Sequence, residues 1–175
     1  MILEEIDLYE YFRAERQGAP KGKLVCYRHG QIAEMNKRMR RPAILVLPGG
    51  GYEFVSQREA EPVAIEYYRE GFDAFVLDYD VAPDAHYPCQ IKEAAMAMMY
   101  IRKTFSACGH LLGCISVLWD DPAVKEIFGG DCEMVRPDAS VYSYPVVSSD
   151  PSIWHKGSFD NFCFGRVDPD DYSID

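Results

Sequence analysis

Basic residues are scarce in this sequence of 175 residues, in which 18 lysines and arginines stand against 28 aspartates and glutamates. Nucleic acids and anionic membrane surfaces attract proteins that carry a basic face. The formal net charge of −10 therefore argues against both as partners. No apolar run approaches the roughly 20 residues of a membrane helix, and acidic residues occupy the amino terminus where a secretory signal carries basic ones. We therefore expect a soluble, cytoplasmic protein.

Closely spaced cysteines are also missing. The chain has no C-x-x-C pair among its six cysteines, Cys26, Cys89, Cys108, Cys114, Cys132 and Cys163. Zinc sites and redox motifs need such close spacing. The sequence therefore predicts no metal site and no cofactor, and it favours buried, reduced thiols.

The most informative segment that is present is an apolar run leading into three glycines. Residues 43–47 are apolar and lie between Pro42 and Pro48, and Gly49, Gly50 and Gly51 follow. Such a run is typical of a buried strand in a parallel sheet. Glycines at the end of a strand let backbone N–H groups approach a ligand and hold negative charge. Two chemistries use this arrangement, phosphate binding and stabilisation of the oxyanion in acyl transfer.

Hydrophobic periodicity along the rest of the chain predicts alternating strands and helices. The predicted strands are residues 2–12, 21–27, 43–48, 72–79 and 138–147, and the predicted helices are 59–69 and 89–103. Residues 81–88 contain two prolines and are predicted to form a loop. The tail from Ser148 onward shows little periodicity. This order indicates a single α/β domain over residues 1–175, with a mainly parallel sheet flanked by helices.

Ser106 is a candidate nucleophile because it precedes an apolar, helix-like run over residues 111–119. A serine held between a strand and a helix can expose its hydroxyl at a sharp turn, and the next amide then faces a bound oxyanion. Most serines near the end of a helix are ordinary polar residues. The serine alone leaves both interpretations open.

Five motifs together resemble one family. In chain order they are Pro-Gly-Gly-Gly-Tyr at 48–52, Leu-Asp-Tyr-Asp-Val-Ala-Pro at 77–83, Tyr-Pro at 87–88, Phe-Ser-Ala-Cys-Gly-His-Leu at 105–111 and Ser-Tyr-Pro at 143–145. The combination resembles the esterase and lipase branch of the α/β-hydrolases, close to the acetyl-esterase and hormone-sensitive-lipase-like group. Members of this branch that act as carbohydrate acetyl esterases are similar to it along essentially its whole length.

The resemblance implies a serine carboxylester hydrolase that acts on a small-molecule ester with a short acyl chain, and acetylated carbohydrate is one candidate substrate. Ser106 matches the family nucleophile, and the amides of Gly50, Gly51 and Ala107 match the oxyanion hole. The resemblance also implies a structural role for His110. It places His155 in a loop near the substrate entrance.

The sequence departs from the family pattern in three places. Thr104 and Cys108 occupy the two glycine positions of the nucleophile turn. About a dozen residues, a strand and its lead-in, are missing before Ser106, so residues 89–118 could alternatively continue as one long or kinked helix. The chain also ends before the strands that bring the acid and histidine of the catalytic triad. Because a serine is a poor nucleophile without a base, we expect the internally deleted and truncated chain to be weak or inactive by itself.

Two other classes of function remain open. A non-catalytic binding or interaction domain could use the hydrolase scaffold, and exposed strand edges would then favour pairing with another chain, including a second copy. A nucleotide or phosphate binder could use Gly49, Gly50 and Gly51. It would lack both the G-x-G-x-x-G spacing and the Lys-Ser/Thr pair of a P-loop.

Overall fold

The computed structural model describes residues 1–16, 21–32, 34, 41–104, 109–110, 119–129, 132–141, 150–152 and 154–163. The strands in these ranges are β1 (Ile2–Asp7), β2 (Lys23–Arg28), β3 (Ala43–Val46), β4 (Asp73–Asp78) and β5 (Gly109–His110). The α-helices are α1 (Leu8–Phe12), α2 (Glu61–Arg69), α3 (Cys89–Thr104), α4 (Pro122–Phe128) and α5 (Lys156–Cys163). A short 3-10 helix (Gln57–Glu59) precedes α2.

The strands form one mixed sheet in the order β1-β2-β4-β3-β5. Strand β3 pairs in parallel with β4 and β5, whereas β2 pairs antiparallel with both β1 and β4. All four residues of β3 are buried, as expected for a strand inside a sheet that is covered on both faces. The predicted α/β architecture is therefore confirmed, and an antiparallel pair of strands extends the parallel part.

Side chains alternate between two hydrophobic clusters because successive residues of a strand point to opposite faces. In β4, Phe75 and Leu77 pack into the larger cluster, with α1 and α3, while Ala74 and Val76 pack into the smaller one, with α2. The larger cluster includes most of the buried face of α3, which is rich in alanine and methionine. The sheet is thus a layer between α2 on one face and α1 and α3 on the other.

Several predicted elements have different bounds in the structure. The strand predicted over residues 2–12 ends at Asp7, because the Asp7 carboxylate accepts a hydrogen bond of 2.9 Å from the amide of Glu10 and so caps α1. The alternative of one helix over residues 89–118 is wrong, since α3 ends at Thr104 and β5 pairs with β3. In the strand predicted over 138–147, residues 138–141 are not in a strand and 142–147 lie outside the described residues.

The sequence does not predict helix α5, which lies in the tail that shows little periodicity. Phe159, Phe162 and Cys163 are its main buried apolar residues, and their spacing is that of one helical face. This spacing is the signal that could have identified the helix. No helix in the described ranges is long and apolar enough to cross a membrane.

The prediction of buried thiols is confirmed for the described cysteines. Cys26, Cys89, Cys132 and Cys163 are all buried, and none of these four forms a disulfide.

Candidate functional site

The glycine loop, residues 48–56, leaves the carboxyl end of β3 in a backbone conformation that needs glycine. Gly50 and Gly51 have φ angles of +138° and +62°. A Cβ atom added to Gly50 would lie 1.9 Å from the carbonyl oxygen of Phe54, far inside van der Waals contact. The glycine at position 50 is therefore required by both the backbone angle and the lack of space.

Hydrogen bonds within the glycine loop and to its neighbours hold the loop in place. The Gly49 amide donates to Glu59 Oε2 at 2.8 Å, and the Ser56 amide donates to the Gly49 carbonyl at 2.8 Å. The Tyr79 hydroxyl, just after β4, donates to the Pro48 carbonyl at 2.6 Å. The loop is therefore anchored on one side to the 3-10 helix and on the other to the neighbouring strand.

The amides of Gly50 and Gly51 are the two oxyanion-hole donors that the sequence predicts and the structure describes. Within the described part of the chain, neither amide donates a hydrogen bond to a protein acceptor. Both follow a buried strand, and the loop that carries them is held by its own hydrogen bonds. Such fixed and unpaired N–H groups can stabilise negative charge on a ligand without first reorganising.

Helix α5 packs directly against Gly51. Asn161 Nδ2 donates to the Gly51 carbonyl at 2.9 Å. A Cβ atom on Gly51 would lie 3.2 Å from Ser158 Oγ and 3.9 Å from His155 Cε1, so both side chains border this glycine. His155 Nδ1 and Ser158 Oγ are 2.9 Å apart, within hydrogen-bond distance.

The contacts of α5 bring a histidine and two polar side chains to the predicted oxyanion donors. Asn161 and Ser158 were missed from the sequence because α5 itself was missed. His155 was placed by the family resemblance near the substrate entrance, and in the structure it lies beside Gly51. Its imidazole lies within hydrogen-bond distance of Ser158 Oγ and adds a polar ring to the border of the glycine loop.

The predicted nucleophile lies outside the described residues, together with Ala107 and Cys108. The chain on either side is described. Helix α3 ends at Thr104, and the backbone of β5 begins at Gly109 in parallel pairing with β3. The segment that carries Ser106 is therefore bounded by α3 and by a strand next to β3, the strand that leads into the glycine loop.

Comparison with known proteins gives relatives among xylan-active and ester-active enzymes. No protein-family model matches the chain. The chain is 31% identical over 137 residues to endo-1,4-beta-xylanase B of Butyrivibrio fibrisolvens, a match that covers 65% of the chain and 21% of the xylanase. It is 27% identical over 136 residues to the acetylxylan esterase of Xylanibacter ruminicola, and this match covers 69% of the chain and 26% of the esterase.

Similar solved structures are α/β-hydrolases. An α/β-hydrolase enzyme from a Medee basin deep-sea metagenome library matches with a TM-score of 0.65 and 28% identity, over 89% of this chain and 61% of that one. An acetyl ester-xyloside bifunctional hydrolase from Caldicellulosiruptor lactoaceticus matches with a TM-score of 0.61 and 28% identity. This match covers 82% of this chain and 54% of that hydrolase. A carboxylesterase from Lactobacillus plantarum shares the fold, with a TM-score of 0.65 at 20% identity. This match covers 87% of this chain and 60% of that carboxylesterase.

The chain thus has an α/β-hydrolase fold, and its structural neighbours are esterases and related hydrolases of that superfamily. This finding confirms the resemblance inferred from the five motifs. The chain spans about a fifth and a quarter of the two curated relatives, at 21% and 26% of their lengths.

Proposed function

We propose that this chain carries the acyl-binding part of a serine carboxylester hydrolase of the acetyl-esterase type. Ser106 is the nucleophile in this proposal, and the amides of Gly50, Gly51 and Ala107 form the oxyanion hole. The observation that carries the proposal is the pair of amides at Gly50 and Gly51, which have no acceptor among the described residues and are held at the end of β3 by an anchored loop. An acetyl ester of a xylan-type carbohydrate is the substrate class that agrees with the relatives.

The proposed reaction begins with attack of the Ser106 hydroxyl on the acyl carbon. The carbonyl oxygen then takes negative charge, and the glycine amides stabilise it. The bond between the acyl carbon and the ester oxygen breaks, and the alcohol leaves with the proton that the serine hydroxyl gives up. Water later hydrolyses the acetyl-serine to acetate and free serine. Since the sequence supplies no assigned base or triad acid, we expect this chain alone to show at most the about 10³–10⁴-fold acceleration that an oxyanion hole retains.

The test is acetylation of the chain by an activated acetate ester. We expect a burst of p-nitrophenol from p-nitrophenyl acetate and an acetylated protein by intact-mass measurement. Ser106→Ala should abolish both, whereas Ser152→Ala, at an exposed serine whose hydroxyl donates to Asp150, should leave both unchanged. Equal bursts from the wild-type chain and Ser106→Ala would remove Ser106 from the mechanism.

A non-catalytic role through self-association is the second candidate, and the exposure of β1 favours it. Within the described sheet β1 is an edge strand, and Met1, Ile2 and Leu3 are 67%, 39% and 59% exposed. Edge strands with exposed apolar side chains tend to pair with another chain. Light scattering should then show a dimer that Leu3→Lys dissociates. A wild-type chain that stays monomeric at high concentration would exclude this role.

A further inference from the structure

Four polar side chains that the proposed reaction does not use meet inside the core, where α1, α3 and the end of β4 pack together. They are Tyr9, Asp80, Cys89 and Glu93. Glu93 is fully buried and Asp80 is 6% exposed. Among the described residues, no lysine, arginine or histidine forms an ion pair with either carboxyl group. Two ionised carboxylates at this depth would have no counter-charge among these residues, and such a pair would be costly to bury.

The hydrogen bonds of this cluster leave a single oxygen without a donor. Glu93 Oε1 accepts from the Tyr9 hydroxyl at 2.9 Å and from the Cys89 thiol at 3.4 Å, and Glu93 Oε2 accepts from the Asp80 amide at 2.8 Å. Asp80 Oδ1 accepts from the Lys21 amide at 2.7 Å. Asp80 Oδ2 is buried and has no hydrogen-bond partner in the part of the chain that the structure describes. A buried acceptor without a donor lowers the stability of the folded chain, so we expect this oxygen to accept a hydrogen bond from one further proton.

We propose that Asp80 and Glu93 share one proton, and that this proton is a pH-sensitive latch between the end of β4 and α3. One carboxylate oxygen of Asp80, the sulfur of Cys89 and one carboxylate oxygen of Glu93 all lie within 4.8 Å of one another. One proton between the two carboxyl groups gives Asp80 Oδ2 its donor and removes one of the two buried negative charges. Carboxyl groups that share a site titrate as such a pair, because both cannot ionise at close range.

The surrounding groups agree with a shared proton. Burial, and then the neighbouring Asp80 carboxyl group, raise the pKa of Glu93 to about 8. The titratable side chains that face Glu93 in the described structure are Tyr9 from α1, Asp80 after β4 and Cys89 from α3. Burial raises the pKa of the Tyr9 hydroxyl and raises that of the Cys89 thiol to about 12, so both stay neutral and donate. The Arg16 guanidinium lies 5.6 Å from the centre of the Tyr9 ring.

The latch is connected to the candidate site through the neighbouring residue, because Asp80 directly follows Tyr79. The Tyr79 hydroxyl donates a hydrogen bond to the Pro48 carbonyl at the start of the glycine loop. The sign of the effect follows from the raised pKa. From the ordinary glutamate value of 4.5 up to about 8, the folded chain keeps a proton that the unfolded chain has lost. Stability from the latch is therefore complete below the lower value, is lost progressively as the pH rises towards the upper one, and is absent above it.

The experiment compares the pH dependence of urea unfolding in the wild-type chain, Glu93→Gln and Asp80→Asn. In Glu93→Gln an amide N–H can take the place of the shared proton at every pH. Relative to this variant, the wild-type folding equilibrium constant should fall by up to about tenfold per pH unit between about pH 5 and 8. Asp80→Asn should reduce the fall without removing it, because burial alone still raises the pKa of Glu93. Glu66→Gln, at an exposed carboxylate on α2, should keep it.

A second measurement uses the wild-type chain alone, so that the result does not depend on a variant that fails to fold. Infrared spectroscopy at about pH 6.5 should show a protonated-carboxyl band, because exposed carboxyl groups are ionised there. Parallel stability curves for wild type and Glu93→Gln, or a spectrum without the band, would overturn the proposal. So would zinc chloride that raises wild-type stability and abolishes the pH dependence, since a metal ion would then occupy the cluster.

Discussion

The side-chain amide of Asn161 donates a hydrogen bond of 2.9 Å to the carbonyl oxygen of Gly51, across 110 positions of sequence. The bond joins α5 to the glycine loop at Gly51, one of the three predicted oxyanion-hole residues. The rings of Tyr52 and Phe162, one residue further along each segment, have centroids 5.0 Å apart. Helix α5 therefore supports the loop through both polar and apolar contacts.

Asn161→Ala should weaken this support. The Gly51 carbonyl loses its donor, which should lower the free energy of unfolding by about 1–2 kcal/mol, the usual cost of an unsatisfied acceptor in a part-buried site. Urea unfolding measures the change. Asp160→Ala, at an exposed residue of the same helix whose ion pair with Lys156 faces solvent, should cost less than about 0.5 kcal/mol. Equal costs in the two variants would contradict a supporting role for Asn161.

Gly50→Ala should disrupt the glycine loop much more strongly than an alanine at another glycine with positive φ. The new Cβ would lie 1.9 Å from the Phe54 carbonyl oxygen, so the backbone has to move, and we expect a loss of at least about 3 kcal/mol. Gly129 is the matched control, because its φ is +66° and an added Cβ would meet nothing within 4 Å. Gly129→Ala should cost about 1 kcal/mol.

The same pair of variants separates stability from site geometry. In any folded fraction of Gly50→Ala, the burst of p-nitrophenol should be lost because the loop amides are displaced, while Gly129→Ala should keep it. Chemical denaturation and the burst assay, run on the same samples, provide the two readouts. A Gly50→Ala chain with wild-type stability would show that the loop adapts and that the close contact does not constrain it.

Met96→Ala should be costly because Met96 is fully buried in the larger hydrophobic cluster. Removal of the side chain loses its transfer free energy and leaves a cavity, which together should cost about 2–5 kcal/mol. Met134 is 39% exposed, and Met134→Ala should change stability by less than about 0.5 kcal/mol. Thermal unfolding of both variants measures the difference, and similar melting temperatures would place Met96 outside the core.

Cys26 should resist alkylation in the folded chain. Burial raises the pKa of its thiol to about 12, so almost no reactive thiolate is present at about pH 8. We expect iodoacetamide to label Cys26 only after unfolding, as measured by peptide mass spectrometry. Rapid labelling of Cys26 in the native chain, at the rate found in urea, would show that β2 opens readily.

Patterns that repeat along the chain predicted the local structure well. The apolar run before Gly49, the apolar run of β4 and the alanine and methionine content of α3 are consequences of burial on one or two faces, and each leaves a signal within a few residues. The glycine loop was found for the same reason, since a backbone that needs positive φ selects glycine at that point.

Contacts between distant segments left no comparable signal. The bond of Asn161 to Gly51 and the meeting of Asp80 with Glu93 depend on how α5, β4 and α3 pack in three dimensions. The sequence does not show whether a polar side chain forms its hydrogen bonds with water or with a buried group of the protein. Folding removes the water and leaves each buried polar group with one arrangement of partners, and this selection gives Asn161, Asp80 and Glu93 their roles.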